Sequence, residues 1–275
     1  MKYNRLLITA LTKMKKLLYV SFKENYIRLS LLLIIMLNGS CQSRSDKDHN
    51  FHIRLITVDP AHFHAALVQK IMYPGIDSVV YVYAPKGLGL QEQLNFNDQY
   101  NHRKKNPTHW VEKVYMGNDF IEKMLDEEKG NVVVILDNNK RKTEYIKKSV
   151  DAGFNVLTDK PMAINVRDFN LLGQSFADAK KNGMILYDIL TQRSEITSIL
   201  QKQLSQVPEV FGQLKQGTAD NPAVIMESVH RFFKQVSEKP LVRPDWYFDP
   251  TQQGDAIADV GTHLVDLVQW VCLSR

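Results

Sequence analysis

Apolar residues along the chain fall into short continuous runs separated by amphipathic stretches. Ile53–Val58 (IRLITV), Ser78–Tyr83 (SVVYVY), Asn131–Leu136 (NVVVIL), Phe154–Thr158 (FNVLT) and Met184–Tyr187 (MILY) read as strands. Between them, the spacing predicts helices over about His62–Met72, Asp119–Glu128, Lys142–Ala152 and Val166–Asn182. The last two stop at Gly153 and Gly183, residues suited to a helix C-terminus. Strands that are apolar throughout, rather than at alternate positions, belong to parallel sheets covered on both faces. Their alternation with helices predicts an α/β, doubly wound domain over residues 51–190, with ligands at the carboxyl ends of its strands.

After Tyr187 the pattern changes. Glu195–Gln206 reads as a helix, Val210–Lys215 and Ala223–Arg231 as more polar strands, and Ala256–Cys272 as a helix. Residues 191–275 are therefore expected to begin an α+β domain with an antiparallel sheet. Two strands and one apolar helix make a thin core, so the expectation is that the C-terminal part of this domain is missing from the chain.

The net charge of +5 raises the question of a nucleic-acid partner. Residues 1–41 carry seven Lys and Arg against one acid; the remainder carries 28 basic and 29 acidic side chains. The excess thus sits in the first 41 residues, and no basic field is left for phosphate backbones. Lys15, Lys16, Lys23 and Arg28 precede the apolar run Leu29–Leu37 and then Asn38-Gly39-Ser40-Cys41. That run is far shorter than the roughly 20 residues needed to span a bilayer. A basic region, a short apolar core and small residues describe an export signal. Cysteine after Gly-Ser is similar to a bacterial lipoprotein site, with Cys41 as the lipidated residue and the protein anchored on the outer side of a membrane. Gln42–Asn50 is polar and free of aromatics, as a linker would be. Cys272 is the only other cysteine, so with Cys41 lipidated no disulfide forms within the chain.

A dinucleotide fold has glycines after its first strand, where the backbone must approach a diphosphate. At the G-x-G-x-x-G spacing this chain has Asp59, Ala61 and His64. Asp59 suits a helix cap and Pro60 the first helical position, but a carboxylate there opposes an anion. His62 and His64 offset it if protonated. The pair lacks carboxylates or cysteines at ligand spacing, and no metal site is expected.

Two clusters carry candidate chemistry. Asp159-Lys160-Pro161 follows a strand, at the edge where ligands bind, and a lysine in apolar surroundings can exchange protons near neutral pH. Asp259 and His263 are four apart on the last helix and share a face. They form either a proton-transfer pair or a structural hydrogen bond.

Together, AGFNVLTDKPMAI and WYFDPTQQGDAIADVGTHLVDLVQW resemble the paired motifs of the Gfo/Idh/MocA oxidoreductase family, relatives of inositol dehydrogenase and glucose–fructose oxidoreductase. The resemblance runs from about Ile53 to the end. It implies a Rossmann domain binding NAD or NADP, and a second domain closing over a sugar or polyol. By the same carry-over Lys160, Asp259 and His263 are catalytic. His263 takes the hydroxyl proton, Lys160 orients the hydroxyl and Asp259 positions substrate. Asp59, His62, Asn138, Asn139, Asp159 and Lys160 fall at the family's cofactor contacts. The chain departs from the family in its missing glycines, its short second domain and an exported location where free NAD is scarce. A non-catalytic saccharide-binding lipoprotein, or an inactive truncated member, is the alternative. Oligomeric state is not legible.

Overall fold

The computed structural model describes residues 52–190, 192–227, 235–236 and 239–273. The export segment with Cys41 and the linker lie outside them.

Six parallel strands form one sheet: β1 (Leu55–Val58), β2 (Val79–Ala84), β3 (Val111–Met116), β4 (Val132–Ile135), β5 (Asn155–Thr158) and β6 (Leu186–Asp188), in the order β3-β2-β1-β4-β5-β6. This is the doubly wound topology expected from the runs of apolar residues. Both faces of the central strands are covered, which is why those runs do not alternate. Ile56, Val58, Val133 and Ile135 pack on one face with Phe120, Met124, Tyr145 and Ile146. Leu55, Val134 and Leu136 pack on the other with Ala65, Val80, Val82, Leu90 and Trp110. Each such Val, Leu, Ile, Phe or Met side chain, fully buried, contributes roughly 1.5–3 kcal/mol relative to exposure.

The helices of the sheet are α1 (His64–Val68), α2 (Leu88–His102), α3 (Phe120–Glu127), α4 (Asn139–Asp151) and α5 (Val166–Lys181). Helix α1 is much shorter than the spacing predicted. It ends where Gln69 turns inward, fully buried, to accept hydrogen bonds from Gln93 and Asn97 and to donate to Glu112. That polar lining also accounts for α2 and β3, neither of which the apolar pattern shows. The inner face of α2 carries Gln93 and Asn97, and β3 is an edge strand with Val111 and Met116 exposed. A hydrogen-bonded inward face leaves no hydrophobic period to read.

Beyond the sheet come α6 (Ile196–Ser205), the single turn α7 (Pro208–Phe211), α8 (Pro250–Gln253) and α9 (Thr262–Val268). The expected strand Val210–Lys215 does not form. Its first residues form the end of α7, which Pro208 opens, and residues 212–215 are exposed and form neither helix nor strand among the described residues. The expected strand at Ala223–Arg231 falls partly outside the described residues, and 223–227 are not paired. The antiparallel pairing described is the short ladder of Gln235–Val236 with Lys239–Pro240. The last helix forms as expected, with wider π-helical turns at Ile257–Gly261 and Gln269–Leu273 flanking α9. It is less buried than its composition suggests: Ile257 and Val265 are exposed.

Candidate functional site

The carboxyl ends of β1, β4 and β5 lie side by side. Val58 is registered with Ile135, and Ile135 with Thr158. Each strand is followed closely by an aspartate, at 59, 137 and 159. The chain connections diverge between β1 and β4, and such a point opens a crevice that binds ligands.

Asp159 is buried, and both its oxygens are engaged. Oδ1 accepts from Lys142 Nζ at 2.6 Å, and Oδ2 lies 2.8 Å from His64 Nδ1 and 3.3 Å from His62 Nδ1. Burial works to raise its pKa, but the Lys142 charge, with hydrogen bonds from both imidazoles, holds it well below the usual carboxylate range. Lys142 is itself only 1% exposed. Burial drives His62 down to about 4, so its ring is neutral at physiological pH. Asp137 is 1% exposed and, among the described residues, neither carboxyl oxygen finds a hydrogen-bond partner on another residue. Its pKa is raised well above the usual value, by burial first.

Lys160 extends away from this cluster towards the last helix. Its Nζ donates to the Asp259 carbonyl at 2.7 Å and also bonds the Asp259 carboxylate. Tyr247 donates its hydroxyl to the second carboxylate oxygen at 2.9 Å, and its ring lies under Arg243, 4.2 Å from the guanidinium carbon. Burial would raise the Asp259 pKa; the Lys160 charge, its hydrogen bond and that of Tyr247 outweigh burial and bring it to about 2. The loop bearing Lys160 is tied to α4 where Thr143 Oγ1 donates to the Met162 carbonyl. The structure thus joins Lys160 and Asp259, expected as partners. His263 follows one turn after Asp259, partly buried.

Asn138 and Asn139 act as clamps. Asn138 caps α4 by accepting from Lys140 N at 3.0 Å, and its amide donates to Gln252. Asn139, buried, donates to the Gln253 carbonyl and side chain, and Gln253 in turn hydrogen-bonds Asp259. Both asparagines therefore hold the segment carrying Asp259 against the sheet. Gln252 and Gln253 carry no signal of their own in the sequence; only WYFDPTQQ preceding the Asp259 helix marks them.

Residues 90–187 match the family described as "Oxidoreductase family, NAD-binding Rossmann fold", and residues 200–275 match "Putative oxidoreductase C terminal domain". A crystal structure from Parabacteroides merdae ATCC 43184, described as a "putative oxidoreductase", is 56% identical with a TM-score of 0.76. That likeness covers 80% of this chain and 50% of the other. The chain belongs to the Gfo/Idh/MocA oxidoreductase family. Two more distant structures share the fold: levoglucosan dehydrogenase with NADH (13% identity, TM-score 0.51, 80% of this chain and 54% of that one) and GenD2 from gentamicin A biosynthesis with NAD (16%, 0.53, 80% and 53%). The chain spans about half the length of these relatives. No curated protein matches it.

The family implies a nicotinamide dinucleotide, and the crevice can be tested against one. A cleft of about 430 Å³ lined by Asp59, Pro85, Asn118, Asn138, Lys140, Arg141 and Tyr145 lies beyond the ends of β1, β2 and β4 and suits a nucleoside. The β1 turn does not suit the diphosphate. The amides of Asp59, Ala61 and His62 already donate to Tyr83, Asp59 and Leu136 carbonyls. Helix α1 has only five residues. Gly89 of α2 packs so closely on Pro60 and Ala61 that a Cβ would lie 2.7 Å from the Ala61 Cα. The Asp59 carboxyl, raised by burial to about 6 despite the pull of Arg141, is largely ionised at neutral pH. The residues present do not fit a diphosphate in its usual seat.

Proposed function

We propose that this chain forms the sheet domain and the first part of the substrate domain of an oxidoreductase acting on a CH–OH group of a sugar, polyol or glycoside. The observation that carries the reading is the contact of Lys160 with Asp259 across 99 residues of sequence, at the edge where the fold binds ligands. With a pKa of about 2, Asp259 is ionised at neutral pH and serves as an acceptor rather than an acid. In this reading it positions a substrate hydroxyl that the Lys160 ammonium orients, and His263 receives the hydroxyl proton. Two neighbours, levoglucosan dehydrogenase and a "putative myo-inositol dehydrogenase" from Sinorhizobium meliloti 1021, bear names of polyhydroxylated substrates, which supports the substrate class.

NAD or NADP is the cofactor class this proposal carries, with the cleft beside Asn138 and Arg141 as the seat for its nucleoside half. His62 and Asp159 face each other rather than the cleft, so their expected cofactor contacts rest on the family resemblance alone. The proposal includes export and a lipid anchor at Cys41, supported by the pattern of residues 15–41; loss of lipid labelling in Cys41→Ala would bear this out.

The decisive experiment is mass detection of nicotinamide in acid-released material from purified protein, followed by titration with NAD(H) and NADP(H). Bound nicotinamide or saturable binding, with turnover of a polyol panel lost in Lys160→Met, is expected. Neither bound nor bindable nicotinamide would overturn the redox reading. The diphosphate misfit favours a second reading, a saccharide-binding lipoprotein without turnover. It predicts sugar binding that Lys160→Ala leaves intact.

A further inference from the structure

We propose that His62, His64 and Asp159 form a binding site for one divalent transition-metal ion of the zinc class. This is independent of the redox reading. In the sequence no carboxylate stands at ligand spacing from the two histidines, but the parallel sheet brings one from 95 residues away. One nitrogen of each ring and an oxygen of Asp159 all lie within 4.8 Å of one another. Ligand atoms around one zinc-class ion, each about 2.0–2.2 Å from it, stand roughly 3–3.5 Å apart. The Asp159 oxygen lies 2.8 Å and 3.3 Å from the two nitrogens, so an ion needs only a small spreading of the rings.

The donor set also has the right chemistry. Two imidazoles and one carboxylate are a recurring borderline-metal set, and three protein ligands leave a coordination position for water or substrate. For each Nδ1 to ligate, the proton it holds against Asp159 moves to Nε2 or is released on metal binding. His64 is a third exposed, which gives the ion a route in.

The surrounding charges need accounting. Lys142 Nζ holds the other Asp159 oxygen at 2.6 Å and its carbonyl at 3.4 Å, orienting the carboxylate from behind and keeping it a one-oxygen ligand. That ammonium repels a dication. Opposing it is the Asp59 carboxyl, at the end of β1. Asp137, beyond the end of the strand between β1 and β5, is a buried carboxyl with no hydrogen-bond partner on another residue among the described residues. A buried carboxyl with no partner is rare and commonly marks an ion or catalytic role.

The test uses the chain without an affinity tag, because it has eight histidines of its own. After chelator treatment it is titrated with Co²⁺, and visible d–d absorption is followed. One equivalent should bind with a Kd on the order of micromolar or tighter and be displaced by Zn²⁺. The His62→Asn/His64→Asn variant should bind at least ~100-fold more weakly, whereas His102→Gln should bind as the parent does. Absence of saturable uptake, or equal uptake by a folded double variant, would overturn the site. Should the double variant fail to fold, X-ray absorption on the Zn²⁺-loaded parent decides. Two imidazoles and at least one oxygen are expected, and a shell with fewer than two imidazoles refutes the proposal.

Discussion

Replacing Asp59 by Asn tests the electrostatics of the β1 turn. Burial raises the Asp59 pKa from 3.8 to about 6, so folding prefers its protonated form. For an acid shifted upward, ionisation costs stability: the cost is absent below pH 3.8, grows between 3.8 and about 6, and is constant above. A shift of about two units, at ~1.36 kcal/mol per unit, gives about 3 kcal/mol as an upper bound, or about 2 kcal/mol after allowing for the solvent that still reaches the residue. Asn keeps the shape and is well tolerated at the left-handed φ of 44°. Asp59→Asn should therefore be nearly neutral at pH 4 and stabilising by about 2 kcal/mol at pH 7.5, a rise in Tm of roughly 4–8 °C. Urea and thermal unfolding at the two pH values measure it. A gain of equal size at both, or a loss that deepens as pH rises, would refute the reasoning. Removing the charge should also tighten any nucleotide diphosphate bound at pH 7.5.

Other outcomes follow from the same geometry. Lys142→Met leaves the buried Asp159 carboxylate without its cation and should cost about 3–5 kcal/mol in urea unfolding at pH 7; a loss under about 1 kcal/mol would contradict the ion pair as drawn. Asp259, lowered to about 2, contributes stability that is present above pH 3.8 and lost as pH falls through 2. Lys160→Met should thus cost about 1–2 kcal/mol at pH 6 and much less at pH 2, and a pH-independent loss would argue against the pair. Gly254 has φ 88°, and a Cβ there would stand 2.8 Å from Ile164 Cγ2. Gly254→Ala should lower stability by about 1–3 kcal/mol, so an unchanged Tm would show that the Asp259 segment does not dock as described.

The central strands were legible because burial on both faces writes itself as an unbroken apolar run, as in NVVVIL. Helix α2 and strand β3 were not. The inward face of α2 presents Gln93 and Asn97 to Gln69 and Glu112, and β3 lies at an edge, so neither carries a hydrophobic period. The strand expected at Val210–Lys215 failed for the opposite reason: its apolar residues meet no covering face, and Pro208 turns the chain helically instead.

The sequence by itself determined the doubly wound sheet and the absence of glycine at positions 59, 61 and 64, while the partnership of the DKP turn with the Asp259 helix was implied by the family resemblance. The first two are local patterns of apolar runs and residue types. Only the tertiary structure decided what meets across the sheet edge. Parallel strands put residues distant in sequence side by side, which no local period encodes. So Asp159 turned out to face His62, His64 and Lys142, Asp137 found no hydrogen-bond partner on another residue among the described residues, and Asn139 reached Gln253 to hold Asp259 beside Lys160.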